Sequence, residues 1–221
     1  MKGRSILMMQ KSLTLCLTLA GATALAGCHV NVDKGKNGED KSVQVDTPFG
    51  GLHVNTDQTT AADLGLPVYP GAQPFVNDDM HKSADVHMGF GEWQLRVRAV
   101  TYFTPDSQDK VAAFYKKALA RYGDVLTCQN KQPVGTPTTT SEGLTCADNS
   151  GGHVNVNVGN EDESNQKGRH YSMGNGLELK AGSKRHQHIV GFETPKDGQT
   201  RFTLVALDLP AGSDDNSGKS D

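Results

Sequence analysis

The first 27 residues contain no Asp or Glu, and the chain as a whole lacks the short motifs by which common catalytic sites are read from sequence. There is no G-x-S-x-G, no H-E-x-x-H, no P-loop and no dinucleotide G-x-G-x-x-G; Gly174-Asn175-Gly176 is too short to count as one. Only a triad assembled from distant residues would escape such a search, so an enzyme is the least supported class. No strand-helix-strand alternation points to a parallel sheet. His-Val-Asn occurs at 29, 53 and 153, but the uneven intervals exclude a solenoid. A calcium loop is excluded after Asp33, because Gly35 and Gln44 stand where its third and twelfth positions need oxygen ligands. No cofactor is implied.

What is present begins at the N-terminus. Lys2, Arg4 and Lys11 precede an apolar run from Leu13 to Ala26, which ends in Leu25-Ala26-Gly27-Cys28. A positive start, an apolar stretch too short to span a bilayer of ~30 Å comfortably and small residues at its end make a signal peptide over residues 1–27. The last four residues resemble the lipobox of bacterial lipoproteins. That resemblance implies cleavage before Cys28, attachment of a diacylglycerol to its thiol and acylation of its freed amine. Lipid-anchored residence in the cell envelope follows, with the membrane held through the acyl chains on Cys28. His29 stands where an Asp is associated with inner-membrane retention, so in a Gram-negative host the resemblance favours the outer membrane, facing the periplasm.

Removing residues 1–27 takes three of the 22 basic residues and none of the 25 acidic ones, leaving 19 against 25, a net charge of −6. Such a chain gains nothing from counterion release on nucleic acid, which is disfavoured as a partner. Cysteine usage is sparse. Of four residues, Cys16 leaves with the signal peptide and Cys28 goes to lipid, so Cys128 and Cys146 remain as one pair. Each ends a short apolar phrase, Leu-Thr-Cys, on either side of the polar stretch Gln129 to Gly143, which reads as two strands bridged by a disulfide. The alternative, a redox or metal-binding thiol pair, has neither a C-x-x-C spacing nor an adjacent His in its favour.

The mature chain divides into a lipid-anchored tether with a short β-hairpin (28–63), an ectodomain (64–210) and a disordered tail (211–221). Asp33 to Ser42 reads as a charged spacer, and Thr47-Pro48-Phe49-Gly50-Gly51 as the turn between two alternating runs. Thr60 to Leu64 is one helical turn, with Thr60 and Asp63 as a capping pair and Gly65 as the stop. Two β-rich runs flank Gly91-Glu92; in the second, Leu95, Val97, Ala99 and Thr101 share one face and Gln94, Arg96, Arg98 and Val100 the other, which reads as wet and partly basic. His153 to Val158 alternates like a strand, Asn160 to Asn175 is polar and loop-like, and His186 to Glu193 with Arg201 to Leu209 forms a hairpin around Pro195 to Gly198.

One helix stands out over residues 107–122. Val111, Phe114, Tyr115, Ala118, Leu119 and Tyr122 form its apolar stripe, with Asp106 or Ser107 to cap it and Phe114 expected at the centre against the sheet. The class is α+β: an antiparallel sheet built from hairpins with this helix on one face. For chemistry, His186 and His188 lie two apart on a strand and can offer two imidazoles to one metal, although no third ligand is identifiable. Two functions remain. One is a lipid-anchored, non-catalytic interaction or structural module with an envelope protein as partner. The other is a periplasm-facing binder of a metal ion or small ligand through His residues.

Overall fold

A computed structural model of the chain describes residues 27–34, 40–76, 82–148, 176–193 and 198–210. The signal peptide up to residue 26, the expected strand at 153–158, the loop at 160–175, the turn at 195–197 and the tail at 211–221 lie outside the described residues.

The strands are β1 (His29–Lys34), β2 (Asp40–Thr47), β3 (Gly50–Thr56), β4 (Gln73–Pro74), β5 (Ser83–Phe90) and β6 (Trp93–Thr104), followed by the helix α1 (Gln108–Leu119). After it come β7 (Val125–Gln129), β8 (Gln132–Pro133), β9 (Leu177–Gly182), β10 (His186–Phe192) and β11 (Thr200–Asp208). Among the described residues they form one sheet of eleven strands in the order β1-β2-β3-β5-β6-β11-β10-β9-β7-β8, with the short β4 beside β6. Every pairing is antiparallel, as expected when neighbours along the chain are joined by hairpins. Among the described residues the fold is thus a mostly antiparallel β-structure carrying one α-helix, and the sheet dominates it. Among the described residues no helix is long and apolar enough to cross a membrane.

The sheet runs without a break across residues 63 and 64, where tether and ectodomain divide in the sequence reading. β3 pairs with β5 along its whole length, Thr56 is buried, and Ala61 and Leu64 belong to the main core. The ends of the expected spacer are strand as well, with Val32 opposite Val43 and Lys34 opposite Asp40. Alternation that began at His29 simply continues, because each residue added to a β1–β2 ladder gains a cross-strand partner.

The short helical turn forms as its residues dictate. Asp63 Oδ2 accepts from the Thr60 amide at 2.8 Å and from the Thr60 hydroxyl at 2.7 Å, and Gly65, at φ 69°, closes it. Leu66 to Tyr69 then runs without regular secondary structure against α1, where the Tyr115 hydroxyl meets the Pro67 carbonyl and the Tyr69 amide. Ser107 occupies the cap position of α1 without a side-chain bond, since the Asp106 carboxylate is engaged by the Tyr69 hydroxyl (2.8 Å) and Lys110 (3.1 Å).

The helix buries Val111, Tyr115 and Leu119 against Val100, Leu179, Val190, Phe202 and Leu204. Phe114 is only partly buried, so its expected place at the centre belongs to Tyr115. The reason is rotational. At 3.6 residues per turn Phe114 lies about 60° to one side of Val111 and at the margin of the stripe, whereas Tyr115 and Tyr122 lie nearer its middle. Phe114 instead packs edge-on against Tyr69 and Tyr115, under the lead-in of residues 66–69.

The opposite face of the sheet has its own apolar residues, Val97, Ile189, Val205 and Leu207. At the β7 margin Leu126 and Cys128 pack with Leu144 and Cys146, joined by the Cys128–Cys146 disulfide with Cα atoms 5.6 Å apart. The bridge forms as the sequence implies, but not between two paired strands. Cys146 lies in a loop held by the Thr139–Thr145 bridge and by Lys180, whose buried Nζ donates to the carbonyls of Cys146 (3.3 Å) and Asp148 (2.9 Å).

Candidate functional site

Cys28 sits immediately before β1 with an exposed, free thiol. Since His29 is paired with Asp46, Cys28 falls beside the turn that joins β2 to β3. Gly27 meets the same turn, where an added Cβ would come within 2.6 Å of Pro48 Cγ.

His186 and His188 share one face of β10, as their spacing requires, but their rings serve different neighbours. His186 Nδ1 lies 2.9 Å from Oδ1 of Asp208, its register partner on β11. His188 lies flat against Tyr122, with ring centroids 3.6 Å apart and planes within 10° of parallel. Tyr122 in turn donates its hydroxyl to the Gly65 carbonyl at 2.7 Å, which ties the end of the helical segment to the capped turn. Arg98 joins the two histidines from β6. Its guanidinium donates to the Asp63 carbonyl and, at 3.3 Å, to Asp208 Oδ2.

The electrostatics follow from this packing. Burial, and then the neighbouring Arg98 charge, pushes the His188 imidazole below its ordinary range, which keeps it neutral near pH 7. His188 Nδ1 and Arg98 Nε are both shielded from solvent and find no hydrogen-bond partner among the described residues. Among those residues, no three His, Cys, Asp or Glu side chains come together as a set able to hold a metal.

The same face of the sheet extends this polar cluster toward β1. Gln44, His53, His87 and Arg96 lie in successive strands at one register level, continuing to Asp208 on β11. His53 Nε2 is 3.1 Å from Asp46 Oδ1, and His87 Nε2 is 2.8 Å from Gln94 Oε1. Hydrogen bonding by His53 and then by Gln44 holds the Asp46 carboxyl below the usual carboxylate range. Arg96 grips Asp85 with two bonds, of 3.0 and 2.6 Å. Such a face, with both charges and several imidazoles presented on a rigid sheet, suits contact with a polar macromolecular surface better than enclosure of a small molecule.

Sequence reasoning found the His186/His188 pair and the exposed Gln94 and Arg96 of β6, but Val100, on the same face, is buried in the main core under the helix. That reasoning missed that Tyr122 caps His188 and that Asp208 links His186 to Arg98, contacts between residues 66 and 110 positions apart. Only the place of Tyr122 within the helical stripe signals that its ring turns inward. No protein-family model matches the chain, and neither the curated proteins nor the solved structures include one detectably similar to it.

Proposed function

We propose that the protein is a lipoprotein of the bacterial cell envelope, an α+β ectodomain anchored through acyl chains on Cys28 and acting as a non-catalytic interaction or structural module. One observation carries the reading: the acid-free, positively charged start, the apolar run and Leu25-Ala26-Gly27-Cys28 stand together in the order that export and lipidation need. The exposed Cys28 thiol and the Cys128–Cys146 bridge, suited to an oxidising compartment, support it. The polar face of β2, β3, β5 and β6 is the surface offered to an envelope protein, and in a Gram-negative host the molecule resides on the outer membrane, facing the periplasm. Cys28→Ala tests the anchor. The variant should leave the membrane fraction while its circular dichroism stays that of the wild type, and full retention on membranes refutes the reading.

A second reading, a binder of a metal ion or small ligand, is favoured by the unpartnered Nδ1 of His188. It requires that zinc raise the melting midpoint and that His188→Phe abolish the rise.

A further inference from the structure

We infer that the end of the sheet carrying Cys28 rests in the membrane interface, inserting Phe49, Phe90 and Trp93 among the lipid headgroups. The inference rests on the lipid-anchor reading and deepens it by assigning the bilayer as the occupant of an exposed aromatic surface. Its first support is where the chain leaves the anchor. β1 begins at His29, directly after Cys28, and is paired from its first residue with Asp46, so no flexible linker separates the lipidated atom from the sheet. An anchored Cys28 therefore holds that end of the sheet against the membrane.

The second support is what stands there. Antiparallel pairing puts the start of β1, the β2–β3 turn, the end of β5 and the start of β6 at one end, because Gly50 pairs with Phe90 and Phe90 with Trp93. Phe49, at the tip of the β2–β3 turn, is 84% exposed, in a position that polar turn formers ordinarily occupy. Phe90 (53%) and Trp93 (39%) are exposed too, and their rings meet at 6.0 Å. Three large aromatics from two hairpins thus stand at the end of the sheet that carries the anchor residue, with Trp93 four strands from β1, roughly 19 Å at the usual strand spacing. Nothing in the core accounts for them. Tryptophan partitions to the membrane–water interface, where its apolar ring and polar N–H are both satisfied, and phenylalanine side chains bury beside it at the headgroup–acyl boundary. The net negative charge of the mature chain gives no general attraction to anionic lipid, so orientation on the membrane must come from such local contacts.

Trp93 is the one tryptophan of the chain and reports directly on this contact. Mass spectrometry of the Cys28 peptide from membrane-extracted protein first tests lipidation, and an unmodified peptide refutes the anchor rather than the aromatic contact. The lipidated protein is then reconstituted in phosphatidylcholine vesicles with and without bromine atoms near the headgroup end of the acyl chains. Trp93 emission should shift to the blue relative to soluble Cys28→Ser protein and be strongly quenched by the bromolipid. Phe49→Ser and Phe90→Ser, both exposed positions, should weaken the quenching without loss of the lipid. Lipidated protein whose Trp93 emission is unshifted and unquenched overturns the inference and leaves the anchor standing. A blue shift without bromine quenching also overturns it, since the tryptophan then meets protein, a partner or a second copy, instead of lipid.

Discussion

Tyr115→Phe removes one oxygen atom from the centre of the core, and the structure says what that oxygen holds. The Tyr115 hydroxyl donates to the Pro67 carbonyl at 3.1 Å and accepts from the Tyr69 amide at 3.2 Å, while its ring packs on Phe202 at 5.4 Å. Residues Leu66 to Tyr69 have no strand ladder of their own, so this hydroxyl replaces the partner that a strand would supply. Burial pushes the phenol well above its ordinary range, so it stays protonated and able to donate across the accessible pH range. Phenylalanine keeps the ring and leaves a buried amide and a carbonyl without their partner. An unsatisfied buried group costs about 1–3 kcal/mol, so the substitution should cost roughly 2 kcal/mol. With urea slopes of about 1–3 kcal/mol/M, the midpoint falls by about 1 M. Soluble Cys28→Ser protein followed by far-ultraviolet circular dichroism gives the measurement, and the Tyr69 amide should lose its protection from hydrogen exchange. Tyr115→Ala, which also empties a ring-sized space, should cost about 3–5 kcal/mol, and Phe114→Ala clearly less. A Tyr115→Phe midpoint within about 0.3 M of the parent, with Tyr69 still protected, would refute the claim that this hydroxyl carries the lead-in.

Three further outcomes follow from other parts of the structure. Replacing Cys128 and Cys146 by Ser should lower stability by about 3 kcal/mol in the chain-entropy model for a separation of 18 residues, and peptide mapping without reductant should find the two cysteines linked. His188 has a lowered pKa in the folded state, so as pH falls through about 6.5 the unfolded chain takes up a proton that the native state refuses. Stability is therefore lost on acidification below that point and is unaffected by this group above it, and His188→Phe, which keeps the stack on Tyr122, should flatten the loss between pH 7 and 5 in urea titrations. Lys180→Met removes a buried ammonium that serves two carbonyls and faces Glu178 at 3.5 Å, leaving the partly buried Glu178 without its cation. The cost should be about 3 kcal/mol, against at most about 0.5 kcal/mol for the exposed Lys117→Ala, and equal melting temperatures for the two variants would contradict the packing of the 139–148 loop on β9.

Features closed by neighbouring residues were legible in the sequence. The Thr47–Gly51 turn, the Gly91-Glu92 turn, the Thr60–Gly65 cap and the helix each announce themselves through a local rule of period, cap or turn chemistry. The disulfide was legible because Cys128 and Cys146 each end a Leu-Thr-Cys phrase on either side of one polar stretch. What escaped was set by pairing at long range. No local rule says that β3 pairs with β5 across the capped turn, so a segment in the sheet looked like a tether. The rank of Phe114 and Tyr115 within one stripe depends on a rotation of about 100° per residue, which inspection of spacing alone blurs. The spacing that makes His186 and His188 a candidate pair is visible in the sequence, whereas the stack of Tyr122 on His188 forms only after the sheet and helix have assembled.

The continuity of the sheet changes what the anchor can do. Were residues 28–63 a flexible tether, lipidation would only raise the local concentration of a freely tumbling ectodomain near the bilayer, and the position of Cys28 would carry no orientational meaning. In the folded chain, β1 is joined through a hydrogen-bonded ladder to β2, β3, β5 and β6 in turn, so it would transmit the proposed attachment point to all of them. The polar face holding His53, His87, Arg96 and Asp85 is built from the same strands, so an end of the sheet fixed at the membrane fixes that face at a constant inclination to it. Under the proposed anchoring, a partner would meet a surface already oriented, and the rotational freedom that association otherwise removes would be surrendered once, at anchoring. Inserting a flexible Gly-Ser linker between Cys28 and His29 isolates this effect, since it leaves acylation and the ladder intact while releasing the orientation. Trp93 quenching by bromolipid should fall with linker length while membrane retention stays complete, and undiminished quenching would show that Phe49, Phe90 and Trp93 hold the membrane without help from the anchor.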